Sequence, residues 1–111
     1  MSDETDFQTV GPAHEIAEDR GRGYQVNGRR IAVIRHGGDL FALDEMCTHA
    51  DASLAFGPVQ EGRVMCPWHY AEFDLQTGEA CTGPACEGVN TYPVRERDGN
   101  IEVAVPKQRS D

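Results

Sequence analysis

Two short clusters in this chain carry donor groups suited to a soft metal centre: Cys47-Thr48-His49 and Cys66-Pro67-Trp68-His69. Each supplies one thiolate and one imidazole. Zinc accepts two Cys and two His in a tetrahedron. Its usual spacing, however, places Cys beside Cys and His beside His. Here each pair is mixed, so two separate stretches of chain each give one sulfur and one nitrogen. That pattern suits a [2Fe–2S] cluster in which both thiolates bind one iron and both imidazoles the other. Replacing thiolate by neutral imidazole raises the reduction potential of such a cluster. The chemistry would then be one-electron transfer. A zinc-binding interaction module is the competing reading.

The segments around these clusters read as short strands joined by Gly- and Pro-rich turns, which predicts an all-β fold. Residues 7–10, 24–27, 30–35 and 40–44 read as strands, with Asn27-Gly28 and Gly37-Gly38 as turns between them. Gly21-Arg22-Gly23 reads as a helix breaker, and 12–19 as a loop or single helical turn. Residues 46–63 form the first donor loop and its return, punctuated by Gly57-Pro58 and Gly62. Val64 and Met65 lead into the second donor pair, and 71–75 reads as a strand closed by the turn Gln76-Thr77-Gly78. Residues 82–90 lack periodicity and read as loop. Residues 91–97 and 100–105 flank the hairpin signal Asp98-Gly99, and Ile101, Val103 and Val105 alternate toward one face. The polar ends, 1–5 and 106–111, lie outside a core of about 6–106.

With 111 residues and no repeat or linker, the chain reads as one domain, 1–111, with the donor loops within about 45–85. No basic segment followed by an apolar stretch opens the sequence, and no apolar run approaches the roughly twenty residues of a membrane span. A cytoplasmic location away from any membrane is expected. The net charge of −9 argues against nucleic acid and anionic membranes as partners. It is compatible with docking to a basic patch on a redox partner, and solubility explains it as well.

Taken with their context, the donor pairs resemble the soluble Rieske-type ferredoxins over about residues 7–105. The resemblance includes Ile31-Ala32-Val33-Ile34, Leu40-Phe41-Ala42-Leu43-Asp44 before the first loop and Leu54-Ala55-Phe56-Gly57 after it. Glu72-Phe73-Asp74 and Thr77-Gly78-Glu79 follow the second loop. Gly83-Pro84-Ala85 is similar to the family's proline-bearing segment over the cluster, and Tyr92-Pro93-Val94 leads into the last strands. The resemblance implies a Rieske-type antiparallel β-sandwich with an inserted cluster-binding subdomain. It implies one [2Fe–2S] cluster with Cys47 and Cys66 on the inner iron and His49 and His69 on the outer, surface-facing iron. His14 and His36 lack such spacing and read as surface residues.

Departures from the family narrow this reading. The membrane-complex branch carries an extra Cys in each loop, and those two form a disulfide; Ala52 and Trp68 stand at the matching places here. Cys81 and Cys86 lie in the covering segment, as reduced thiols or as a local redox pair. High-potential relatives carry a Ser and a Tyr hydroxyl where this chain has Ala71 and Phe73. Hydrogen bonds to cluster sulfurs stabilise the more negative reduced state. Their absence predicts a potential near the low end of the Rieske range, about −150 mV. Tyr70 occupies a place where the family commonly has Gly, which alters the rim of the site and hence partner choice.

The resemblance implies an electron carrier, for which a monomer is suited; with no Ser/His/Asp pattern or phosphate loop in the sequence, no catalysis of its own is expected. It would pass electrons from a flavin-containing NAD(P)H reductase to a terminal oxygenase of the ring-hydroxylating dioxygenase type. The alternative is a small Rieske-type subunit of an assimilatory nitrite reductase, which shares the fold.

Overall fold

Two-residue turns set the architecture, because each folds the chain straight back on itself. Asn27 and Gly28 adopt φ of 53° and 82°, and Asp98 and Gly99 adopt 54° and 80°. Positive φ at both central positions matches the twist of the flanking strands, and Asn, Asp and Gly tolerate it best. The computed structural model describes residues 7–46, 53–66, 72–80 and 88–105. They form β1 (Phe7–Pro12), β2 (Arg20–Val26), β3 (Arg29–His36), β4 (Asp39–Asp44), β5 (Val59–Gln60), β6 (Arg63–Met65), β7 (Glu72–Asp74), β8 (Thr91–Tyr92), β9 (Val94–Arg97) and β10 (Asn100–Ala104). Short 3₁₀ turns at Ala13–Glu15 and Leu54–Phe56 complete the set.

The strands make three sheets in the orders β1-β10-β9, β2-β3-β4-β8 and β5-β6-β7. Every pairing within them is antiparallel. The β2-β3-β4-β8 sheet is central, and both of its faces are covered. Ile31, Val33 and Ala42 pack on one side with Ile101, Val103 and Val105. Ile34 and Leu43 pack on the other with Leu54, Val64, Cys66, Phe73, Leu75 and Val89. A strand buried on both faces loses the apolar–polar alternation. That accounts for the unbroken run Ile31-Ala32-Val33-Ile34, all of it fully buried. The architecture is the expected all-β sandwich with a small third sheet inserted between β4 and β8.

Three local expectations differ from the structure. The strand expected over 24–27 starts earlier, at Arg20, so that Gly21 to Gly23, read as a helix breaker, lie in the first half of β2, paired with Ile34 to Ala32 of β3. The strand expected over 91–97 divides at Pro93. Its first part pairs with β4 and its second with β10. Proline has no N–H to continue a ladder, so the chain changes sheets there. The return of the first donor loop also contains a strand, β5, joined to β6 by Glu61-Gly62 in the same positive-φ turn, at 55° and 80°.

Candidate metal centre

The first donor loop leaves β4 after Asp44 and returns at Ser53. An antiparallel bridge between Met46 and Ser53 closes its two stems. The Leu54 N–H donates to the Glu45 carbonyl at 2.6 Å, one step further down. Ser53 then caps the following 3₁₀ turn by accepting from the Ala55 N–H at 3.2 Å. The second donor loop spans β6 and β7, with Met65 paired to Glu72 at its mouth.

The two mouths are joined. The Met65 N–H donates to the Pro58 carbonyl at 2.9 Å. A Cβ on Gly57 would lie 2.0 Å from the Met65 carbonyl oxygen. No side chain fits there, so Gly57 lets the return of the first loop lie directly against the entry to the second. Leu54 and Cys66 share one buried cluster. A third segment starts from the same sheet: Ala80 bridges to Phe73 and packs against that cluster. The described residues that flank 47–52, 67–71 and 81–87 therefore lie close to one another. Of the predicted ligands, Cys66 is placed at the end of β6 and is fully buried. Cys47, His49 and His69 lie outside the described residues, as do Ala52, Trp68, Tyr70, Ala71, Cys81 and Cys86.

Glu45 is the charged side chain buried among the described residues, at 3% exposure. Its Oε1 accepts from Arg30 Nε at 2.8 Å and lies 2.7 Å from Arg30 Nη2. Its Oε2 accepts from the Ser53 hydroxyl at 2.6 Å. Asp44, one residue earlier, accepts from the Tyr92 hydroxyl at 2.5 Å and from the Asn90 N–H at 3.0 Å. Burial, then the Asp44 bond and charge, push the Tyr92 hydroxyl up to about 12. The spacing of donor residues gave no sign of this anchoring; a carboxylate at a strand end reads as solvated until its partners are placed.

The other two histidines separate. His14 is exposed. His36 is half-buried and partnered: Nδ1 lies 2.6 Å from Asp19 Oδ1, and Nε2 accepts the Gly62 N–H at 3.0 Å. Its surface assignment from sequence needs that correction. The ring joins β3 to the β5-β6 turn of the inserted sheet.

The sequence profile of the Rieske [2Fe-2S] domain matches residues 6–93. The chain belongs to the Rieske [2Fe-2S] domain family. It is 37% identical over 100 residues to the anthranilate 1,2-dioxygenase ferredoxin subunit of Burkholderia cepacia, covering 90% of this chain and 93% of that one. Among solved structures it is similar to a chain from the complex of reduced oxygenase and oxidised ferredoxin in carbazole 1,9a-dioxygenase. That match has a TM-score of 0.82 and 26% identity, over 96% of this chain and 100% of the other. The fold is also that of the nitrite reductase small subunit described from Mycobacterium tuberculosis, at a TM-score of 0.85 and 24% identity, over 96% and 100% of the two chains. As a Rieske domain the chain carries one [2Fe–2S] cluster. The donor chemistry fits: a water-free thiol at Cys66, on a stem adjoining that of the other loop, with a second Cys and two His in the segments that follow those stems.

Proposed function

We propose that this protein is a one-electron carrier of the Rieske ferredoxin type. Cys47 and Cys66 hold one iron as thiolates, and His49 and His69 hold the other through imidazole nitrogen. The observation that carries this reading is the junction of the two loop mouths, Gly57 against the Met65 carbonyl, with Cys66 buried beside Leu54. That junction brings the stems of the mixed Cys/His pairs together, which a cluster fed from both loops requires. The cluster, when bound, takes up and releases a single electron. The chain's own contribution is to hold the donors on stiff stems and to keep water from Cys66.

The carrier acts as a monomeric single domain in the cytoplasm. It takes electrons from a flavin-containing NAD(P)H reductase and delivers them to a terminal oxygenase. Support for the oxygenase comes from a relative of 37% identity named as a dioxygenase ferredoxin subunit. Kinship with nitrite reductase small subunits rests on fold alone, at 24% identity.

Metal and sulfide analysis is the direct test. The expected result is two irons and two acid-labile sulfides per chain, a red-brown colour and an electron paramagnetic signal on reduction. Equimolar zinc with neither iron nor sulfide would overturn the assignment. Reconstituted turnover with a reductase and an oxygenase then tests the carrier role. Stable copurification with a sirohaem subunit would favour the nitrite reductase alternative.

A further inference from the structure

Glu45 sits two residues before Cys47 and is fixed on all sides. Its N–H donates to the Arg30 carbonyl at 3.2 Å, and its own carbonyl accepts from Leu54. Its carboxylate binds Arg30 of β3 and Ser53 at the far stem of the first donor loop. Space for that carboxylate comes from β2: a Cβ on Gly23 would lie 2.8 Å from both of its oxygens. Two positions along the strand, a Cβ on Gly21 would lie 2.7 Å from the Ala55 carbonyl oxygen, in the turn after Ser53. Alternate residues of a strand face the same way. Gly21 and Gly23 thus form one seat, on which both stems of the first loop rest.

The Glu45–Arg30 pair is buried only on the carboxylate side, with Arg30 55% exposed, and such a pair adds little net stability. Its strength lies in fixing geometry, since a misplaced partner leaves a charge without compensation. Here the fixed geometry is the mouth of a loop that supplies half of the ligand set.

We propose that Glu45, seated on Gly23 and bonded to Arg30 and Ser53, is a positioning residue that keeps Cys47 and His49 engaged with the cluster. The inference rests on the ligand assignment above. Loss of the clamp lets the first loop open locally, without global unfolding, and local opening sets the rate at which a bound group escapes.

The test uses the purified holoprotein and its Glu45→Gln, Ser53→Ala and Val103→Ala variants. Val103 is fully buried in the opposite core, so its truncation lowers global stability without touching the clamp. Iron release to a ferrous chelator is followed under native conditions, together with the paramagnetic spectrum of the reduced protein. Glu45→Gln should release iron about tenfold faster or more, the equivalent of losing one charge-assisted hydrogen bond, with shifted g-values. Ser53→Ala, which keeps the Arg30 pair, should show a smaller acceleration. Val103→Ala should keep the wild-type spectrum and release rate. If Glu45→Gln and Ser53→Ala release iron no faster than Val103→Ala, with unshifted spectra, Glu45 has no positioning role. A Glu45→Gln chain that takes up no cluster leaves Ser53→Ala to decide on the same two readouts. Wild-type protein that holds neither iron nor sulfide overturns the ligand assignment and this inference with it; cluster-loaded wild type with insensitive variants overturns the inference alone.

Discussion

The Tyr92 hydroxyl donates a 2.5 Å hydrogen bond to Asp44, and so ties β8 to the last residue of β4 before the first donor loop. The side chain is buried, and a hydrogen bond to a charged acceptor contributes more than one between neutral groups. Tyr92→Phe should cost about 1–2 kcal/mol in denaturant unfolding of the purified protein. Burial of the hydroxyl, with this bond and the Asp44 charge, also produces an alkaline signature. The ordinary tyrosine value is 10.0, and in the fold it is pushed up to about 12. At pH values between these, the unfolded chain gives up a proton that the folded chain keeps. The stabilisation is complete below the unfolded value and is lost as pH rises through the folded one. Tyr92→Phe should flatten this alkaline decline. Tyr24, also raised by its burial and by Glu15, keeps part of the slope.

The ligand assignment separates the four histidines. His49→Ala or His69→Ala should bring iron and sulfide to near background, as should Cys47→Ala and Cys66→Ala. His14→Ala, at an exposed position, should leave both at the wild-type level. Metal and sulfide analysis of the purified variants reads this directly.

On the resemblance drawn from the sequence, Phe73 takes the place of a tyrosine in high-potential relatives, and it shares a buried cluster with Cys66. A redox titration of the wild-type protein should give a midpoint near the low end of the Rieske range, and one above about +100 mV would contradict this use of missing hydroxyls. Phe73→Tyr should raise the midpoint. A hydrogen bond of about 1–2 kcal/mol that favours the reduced form corresponds to roughly 50–100 mV for one electron.

His36 accepts the Gly62 N–H and so clasps the inserted sheet to the central one. His36→Ala leaves that amide without its acceptor. Hydrogen exchange at Gly62 should accelerate, with global stability lowered by about 1 kcal/mol.

A methyl group at Gly21 would meet the Ala55 carbonyl oxygen at 2.7 Å and Ile34 Cγ1 at 2.9 Å. Gly21→Ala should therefore destabilise by about 1–3 kcal/mol, the usual cost of overfilling a packed interface. Thermal or denaturant unfolding checks it.

Local signals made much of the fold legible. Asn27-Gly28 and Asp98-Gly99 marked their hairpins because a two-residue turn needs positive φ at both positions. The mixed Cys/His pairs pointed to a cluster because the donor set and its spacing are chemical facts of the sequence. What stayed hidden depends on partners distant in the chain. Gly21 and Gly23 read as helix breakers, which agrees with their place in a strand; their use as a seat exists only once Glu45 and Ala55 are packed above them. Glu45 carried no signal in the sequence, because its burial is set by Arg30 and Ser53 together. His36 looked solitary, since the amide it binds lies on another sheet. The division at Pro93 was readable from its missing N–H, yet the continuous β-branched and polar pattern around it masked the change of sheet.

The central sheet separates two hydrophobic cores that share no side chain: Ile31 and Val33 face one, Ile34 and Leu43 the other. Substitutions without common neighbours add in free energy. The cost of a substitution in the core that carries Cys66 should therefore add to, and not depend on, the cost of one at Ile101, Val103 or Val105. The sheet thus acts as a firewall: a change of side chain in one core is felt by its own neighbours and little by those across the sheet.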